Sequence, residues 1–255
     1  MAETIGHPDG APCWAQLLTR DAGAAERFYA GLFGWECRDR GGWAMCLLGG
    51  RPVAAITPDP AADRAAWTVH LATADLTAAL ARVEAGGGKP LEGPVQGTVE
   101  GHAEGYALVA DPAGATFALL QPGAFAGAGA LAEPGAMSWA EVNVPDGSAA
   151  DAFYTALFSY EHEQVPGGID YAVYSAGGRA VSGRLLMDEH WAGVPPHWMI
   201  YFDVADLAAA TAKVAELGGA VPVPAFDTPH GRLAVVNDPT GGFLTLRQPA
   251  GPEHA

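Results

Sequence analysis

Cys13-Trp14-Ala15-Gln16, followed by Ala24-Ala25-Glu26-Arg27-Phe28-Tyr29-Ala30-Gly31-Leu32-Phe33-Gly34-Trp35-Glu36, decides the reading of this chain because it occurs twice. It returns as Ser138-Trp139-Ala140-Glu141 and Ala149-Ala150-Asp151-Ala152-Phe153-Tyr154-Thr155-Ala156-Leu157-Phe158-Ser159-Tyr160-Glu161, at a constant offset of 125 residues. Working outward, Gly49-Gly50-Arg51 recurs as Gly177-Gly178-Arg179, and Ala74-Asp75-Leu76 as Ala205-Asp206-Leu207. Asp111-Pro112-Ala113-Gly114 with Gln121-Pro122 recurs as Asp238-Pro239-Thr240-Gly241 with Gln248-Pro249. A period this long describes two homologous domains in tandem, not a solenoid. The expected domains are 11–123 and 136–250, joined by a linker at 124–135 that is rich in Gly and Ala.

Each copy reads as strand, helix and several strands, twice over. Residues 13–19 are extended, and Asp21 caps a helix over 22–33 whose expected buried stripe is Ala25, Phe28, Leu32 and Phe33. Gly34 ends that helix. Residues 43–48 and 52–56 form a hairpin around Gly49-Gly50, the glycine pair that a primed turn favours. The pattern restarts with a strand over 67–73. Asp75 then caps a helix with Leu76, Leu80 and Val83 inward, and Gly86-Gly87-Gly88 stops it. Strands over 106–110 and 116–120 flank Asp111-Pro112-Ala113-Gly114, a type I turn sequence read as architectural. The fold class expected is α+β, with each domain built from two βαβββ modules.

Composition narrows the function. The net charge is −16 with 13 Lys plus Arg, which argues against nucleic-acid binding because that depends on neutralising phosphates. The same charge suits a cationic small ligand or plain solubility. No apolar run reaches the roughly 20 residues of a membrane span. The opening residues MAETIGHPDG do not read as a signal peptide, so the expected location is cytoplasmic. Cys13, Cys37 and Cys46 all fall in the first copy without a CxxC spacing, and reduced thiols are expected. Gly86-Gly87-Gly88 closes a helix where a dinucleotide fingerprint opens one, so no nicotinamide or flavin cofactor is expected.

The repeated Trp…Asp…Ala-Ala-x-x-Phe-Tyr-x-x-Leu-Phe block and both Asp-Pro-x-Gly…Gln-Pro endings resemble the vicinal oxygen chelate superfamily, which includes glyoxalase I, bleomycin-resistance proteins and extradiol dioxygenases. The resemblance covers nearly the whole chain, with two-domain actinobacterial glyoxalase-like proteins as the nearest type. It implies curled mixed sheets around a pocket and, in metal-dependent relatives, His, Glu or Gln ligands on the strands. Carried over by position, the first ligand falls on Trp14 and Trp139, the third near Thr68 and Met199, and the fourth near Ala118 and Thr245. The remaining ligand strand, 51–56 and 180–184, offers no carboxylate, imidazole or thiolate. A hard or borderline cation needs about three to six such donors, so no metal and no other cofactor is expected.

Strand alternation puts Trp14 and Gln16 on one face, and Trp139, Glu141 and Asn143 on its counterpart. Thr68 and His70 point inward in the first domain; Met199, Tyr201, Asp203, Phe243, Thr245 and Arg247 do so in the second. These residues line a small-molecule site or, alternatively, the tryptophans fill a collapsed cavity. His70 is the one histidine placed inward, with a pKa open to tuning near neutrality. His102 and Glu104 lie on a glycine-rich loop, 97–105.

The leading expectation is a metal-independent protein that binds a planar or aromatic natural product, a cationic one included, through stacking and cation–π contacts. Its role would lie in antibiotic self-resistance or as an accessory in antibiotic biosynthesis. The alternative is a metal-free enzyme acting on a polyketide-like or dicarbonyl substrate, with His70, Glu141 and Tyr201 as acid–base groups. Partners beyond an aromatic small molecule are not expected, and homodimerisation is left open.

Overall fold

The computed structural model describes residues 6–96, 105–123 and 125–251. In the first copy the order is β1 (Pro12–Thr19), α1 (Ala22–Phe33), β2 (Glu36–Asp39), β3 (Ala44–Leu48), β4 (Arg51–Pro58), β5 (Ala66–Ala72), α2 (Leu76–Ala85), β6 (Lys89–Gln96), β7 (Gly105–Ala110) and β8 (Thr116–Gln121). The second copy repeats it with β9 (Met137–Val144), α3 (Gly147–Phe158), β10 (Glu161–Val165), β11 (Tyr171–Ala176), β12 (Arg179–Leu186), β13 (His197–Asp203), α4 (Leu207–Glu216), β14 (Ala220–Thr228), β15 (Gly231–Asn237) and β16 (Phe243–Pro249). The strands form two eight-stranded sheets, ordered β2-β3-β4-β1-β5-β8-β7-β6 and β10-β11-β12-β9-β13-β16-β15-β14. β1/β4 and β5/β8 pair in parallel while hairpins such as β3/β4 and β7/β8 are antiparallel, so the sheets are mixed. This is the α+β tandem of βαβββ modules that the repeat describes.

The helix starts follow from four aspartates. Asp21, Asp75, Asp146 and Asp206 each accept the backbone N–H three residues on, satisfying a donor that the helix itself leaves unpaired. Gly49 and Gly50 both hold positive φ, at 56° and 79°, as the primed hairpin turn requires. Two details differ from the sequence expectation. In α1 the buried set is Ala25, Phe28, Tyr29 and Phe33, with Tyr29 fully enclosed and Leu32 only half-buried; in α2 Ala79 is buried where Leu80 is partly exposed. Strands β2 and β6 carry charged, exposed residues without clean alternation, which is why periodicity does not mark these edge strands. Of the 97–105 loop, residues 97–104, including His102 and Glu104, lie outside the described residues.

Two compact units result, each taking one module from each copy. The first comprises Met1–Trp14, Val69–Gly127 and Trp139–Met199; the second comprises Ala15–Thr68, Ala128–Ser138 and Ile200–Ala255. In the first unit the Trp198 indole N–H donates to the Tyr154 hydroxyl (3.0 Å), which donates to the Asp111 carboxylate (3.0 Å). Asp111 also closes its own turn by accepting Ala115 N–H at 2.8 Å, and burial raises its pKa. In the second unit Trp67 donates to Tyr29 (3.0 Å) and Tyr29 to Asp238 (2.8 Å), whose other oxygen accepts the N–H groups of Thr240 and Gly242. Tyr29, Phe33, Trp35, Trp67 and Phe202 pack as one aromatic cluster around that chain. Burial, with the facing carboxylate next, holds both tyrosines well above the ordinary phenol range, so each keeps the proton it donates. The segment after the first copy is packed as well: Ala128 and Ala130 are buried, and Gly135 accepts the Trp35 indole N–H at 2.7 Å.

The cysteines depart from the expectation of reduced thiols. Cys37 and Cys46 stand directly opposite one another on β2 and β3, with Cα atoms 4.1 Å apart, and are joined as a disulfide. Facing positions on antiparallel strands bring Cβ atoms within bridging reach, a proximity that sequence spacing does not display. Cys13 is free and buried.

Two outcomes follow. Tyr154→Phe and Tyr29→Phe each strand a buried indole N–H and a buried carboxylate. At roughly 1–3 kcal/mol per orphaned group, each variant loses about 2–6 kcal/mol of unfolding free energy in urea titrations. Thiol titration of the denatured, unreduced protein finds one reactive cysteine, rising to three after reduction; three before reduction would remove the disulfide.

Candidate functional site

The positions singled out from sequence fall in both units. Trp14, His70, Trp139, Glu141, Asn143 and Met199 belong to the first; Gln16, Thr68, Tyr201, Asp203, Phe243, Thr245 and Arg247 belong to the second.

In the second unit the polar groups are committed to one another. Gln16 donates to the Thr57 hydroxyl at 2.8 Å. Arg247 grips Asp203 with two hydrogen bonds, 2.7 and 3.1 Å, and the carboxylate is almost wholly enclosed. Such a paired buried charge is a satisfied structural element rather than a free anion receptor. Tyr201 and Thr245 are buried as partners in the parallel β13/β16 ladder; Thr68 is buried and Phe243 exposed.

In the first unit His70 is buried and neither ring nitrogen has a hydrogen-bond partner among the described residues. Its ring lies 5.5 Å from that of Tyr106. Burial lowers the imidazole to about 3, so the expected tuning toward neutrality does not hold and the ring is neutral at physiological pH. Burial, and then the Glu92 charge, raises the Tyr106 phenol to about 12. Trp14 is buried with its edge against Phe125 at 4.9 Å, leaving little of its indole surface to a ligand.

The β9 face of the same unit is more open. Trp139 is only partly buried and donates its indole N–H to the Tyr171 hydroxyl at 2.9 Å. Burial first, and then the neighbouring Glu141 carboxylate, pushes the Tyr171 phenol up, so it stays protonated and directs that proton to buried Glu141. This arrangement requires a glycine beneath it. A Cβ on Gly183 would fall 2.0 Å from the Tyr171 hydroxyl and 3.2 Å from the Trp139 indole nitrogen. Gly183 lies opposite Glu141 in the parallel β12/β9 ladder.

Two residues along, Asn143 is fully buried, with its amide nitrogen 3.1 Å from His197 Nε2. His197 Nδ1 lies 2.9 Å from the Pro195 carbonyl, which only accepts, so Nδ1 carries a proton and Nε2 is left to accept from the Asn143 amide. The Asn143 carbonyl oxygen has no partner among the described residues. A buried orphan of this kind costs about 1–3 kcal/mol. The His197 ring also meets Trp191 at 5.9 Å, and Trp191 lines an opening of about 130 Å³ with Pro145, Met187, Val194 and Pro196. Asp188 of the Asp188-Glu189-His190 run caps the short 3₁₀ turn Glu189–Trp191 in this segment.

Tyr171, Gly183, Trp191 and His197 escaped sequence reasoning. The available signal was Gly183, a glycine inside a strand, which marks a close approach by a neighbouring group.

The metal test is one of donor chemistry. Trp14, Trp139, Thr68, Met199, Ala118 and Thr245 occupy the ligand positions, and among the described residues no three of His, Cys, Asp and Glu gather closely enough to hold an ion. These residues do not fit the metal of the fold family.

Residues 14–120 match the model of the glyoxalase-like domain, and residues 136–245 match that of the glyoxalase/bleomycin resistance protein/dioxygenase superfamily. CFP32 of Mycobacterium tuberculosis, which bears the name of a glyoxylase, is 35% identical over 98% of this chain and 99% of its own. The anthracycline biosynthesis protein DnrV of Streptomyces peucetius is 36% identical over 93% of this chain and 92% of its own. Among solved structures, the Mn(II)-bound glyoxalase of Novosphingobium aromaticivorans matches with a TM-score of 0.68 at 15% identity, over 96% of this chain and 83% of that one. The dioxygenase LapB of Pseudomonas matches with a TM-score of 0.65 at 14% identity, over 97% and 96%. At such identities these two establish the fold alone.

His70 has a measurable signature. The unfolded chain binds a proton at His70 near pH 6.5, whereas the folded protein binds it only near pH 3. Its contribution is therefore complete above the unfolded value and is lost as pH falls through that window, by roughly 2–3 kcal/mol at about pH 4.5. Urea unfolding of wild type and His70→Leu between those limits should show the smaller pH slope in the variant.

Proposed function

Given that this chain belongs to the glyoxalase/bleomycin resistance/dioxygenase superfamily, we propose that it binds a planar aromatic natural product without a metal, as an accessory in antibiotic biosynthesis or in self-resistance inside the cell. The observation that carries this reading is Trp139. It stands where metal-dependent relatives place a ligand, its indole is anchored through Tyr171, and its side chain is still partly open. An anchored aromatic surface offers stacking with little entropy left to lose. The name of DnrV supports the biosynthetic context, and the net charge of −16 suits a cationic substituent on the ligand. Against the metal-free enzyme reading stands His70, whose depressed pKa makes it a poor proton acceptor near neutrality.

The test is tryptophan quenching by an anthracycline aglycone. Saturable quenching should survive exhaustive chelation, and Trp139→Ala should weaken it by about 2- to 13-fold, from about 0.5–1.5 kcal/mol of lost stacking. Trp14→Ala should change it less. Absence of saturable binding by wild type refutes the binding reading; loss of binding on chelation refutes metal independence.

A further inference from the structure

The donors and acceptors on the β9 face do not balance. The Trp139 indole N–H is committed to Tyr171, the Tyr171 hydroxyl is directed to Glu141, the Asn143 amide nitrogen donates to His197, and His197 Nδ1 donates to Pro195. Among the described residues, the group on this face left without a partner is an acceptor, the carbonyl oxygen of fully buried Asn143. Alternation along β9 sets Asn143 on the same face as Trp139 and Glu141. His197 Nδ1–H is directed to the Pro195 carbonyl, and Nε2 faces the N–H end of the amide, which leaves the oxygen turned away from the ring.

We infer that this face selects a ligand bearing a hydrogen-bond donor, a neutral phenolic or alcoholic hydroxyl, which Asn143 Oδ1 accepts while Trp139 stacks on the ring. Asn143 is the specificity-determining residue, and His197, fixed by Pro195, is the positioning residue that aims the amide oxygen. This rests on the binding reading above and names the chemistry its ligand must carry. A ligand offering only acceptors, such as an ether or a bare quinone, leaves the orphan oxygen unsatisfied and binds more weakly. The opening of about 130 Å³ walled by Trp191 and Val194 lies beside this face, since the Trp191 ring meets that of His197.

The experiment compares three probes by tryptophan quenching, at a pH where the hydroxyl is un-ionised: a hydroxyanthraquinone whose hydroxyl is remote from the ring carbonyls, its methyl ether, and the parent anthraquinone. Wild type should favour the hydroxylated probe over both others by about tenfold, the worth of one hydrogen bond to a buried acceptor. Asn143→Leu, checked for fold by circular dichroism, should bind all three within about twofold of one another. Asn143→Asp, which keeps an acceptor, should retain the preference, and His197→Phe should reduce it by freeing the amide. Equal binding of the three probes by wild type, or a preference that survives in Asn143→Leu, overturns the inference and leaves the binding reading standing. Failure of wild type to bind any of them, and the anthracycline aglycone as well, removes the binding reading and this inference together.

Discussion

A buried phenol that accepts an indole N–H and gives its own proton to a carboxylate is the constraint on which each compact unit depends. In one unit Trp198, Tyr154 and Asp111 make the chain; in the other Trp67, Tyr29 and Asp238 make it. Each chain joins a helix of one module, the first strand of another, and the turn that ends a β-hairpin. Three polar groups are thereby removed from water without leaving one unpaired, and that condition has to be met before the surrounding aromatics can close. The Asp-Pro-x-Gly turn is more than a corner: its aspartate holds the turn closed with one oxygen and a tyrosine from the opposite copy with the other.

The same physics separates scaffold from site. In the tyrosine chains every donor finds an acceptor, and in the second unit Arg247 and Asp203 satisfy each other. Among the described residues of the first unit, the His70 ring nitrogens and the Asn143 amide oxygen are buried without a partner, as are His7 Nε2, Arg82 Nε and the Thr155 and Ser182 hydroxyls. Natural interiors seldom leave such groups bare, and unpaired groups concentrate where something else is meant to pair with them. His70 sits in a closed environment that keeps it neutral, whereas Asn143 lies on the face that carries the partly open Trp139. That contrast moves the weight of the site from the histidine that strand alternation favoured to the β9 face.

The two copies have also diverged in how an edge hairpin is fastened. In the first copy a disulfide ties β2 to β3. In the second, Arg184 is buried and reaches Asp151 of α3, Asp170 before β11 and Gln164 of β10. Gly147 leaves room for that guanidinium, which would stand 2.9 Å from any Cβ there. A covalent tie and a buried ion cluster solve the same problem with different sensitivities, the one to reductant and the other to loss of either charge.

The amino-acid sequence by itself determined the tandem repeat, the βαβββ order, the four aspartate caps and the primed glycine turns, because these depend on local spacing and on backbone conformations that few residues allow. Carried over from metal-dependent relatives, the ligand positions read as tryptophan, threonine, methionine and alanine. Tertiary structure alone decided which modules pack together, since the partner of Tyr154 is Asp111 in the other copy and no periodicity links them. It alone decided the Cys37–Cys46 pairing, which depends on strand register, and the depressed pKa of His70, which depends on how completely its neighbours exclude water. Tyr171 and His197 entered the site for the same reason. Neither belongs to a motif, and each acquires its role only when β11 and the start of β13 bring it against Trp139 and Asn143.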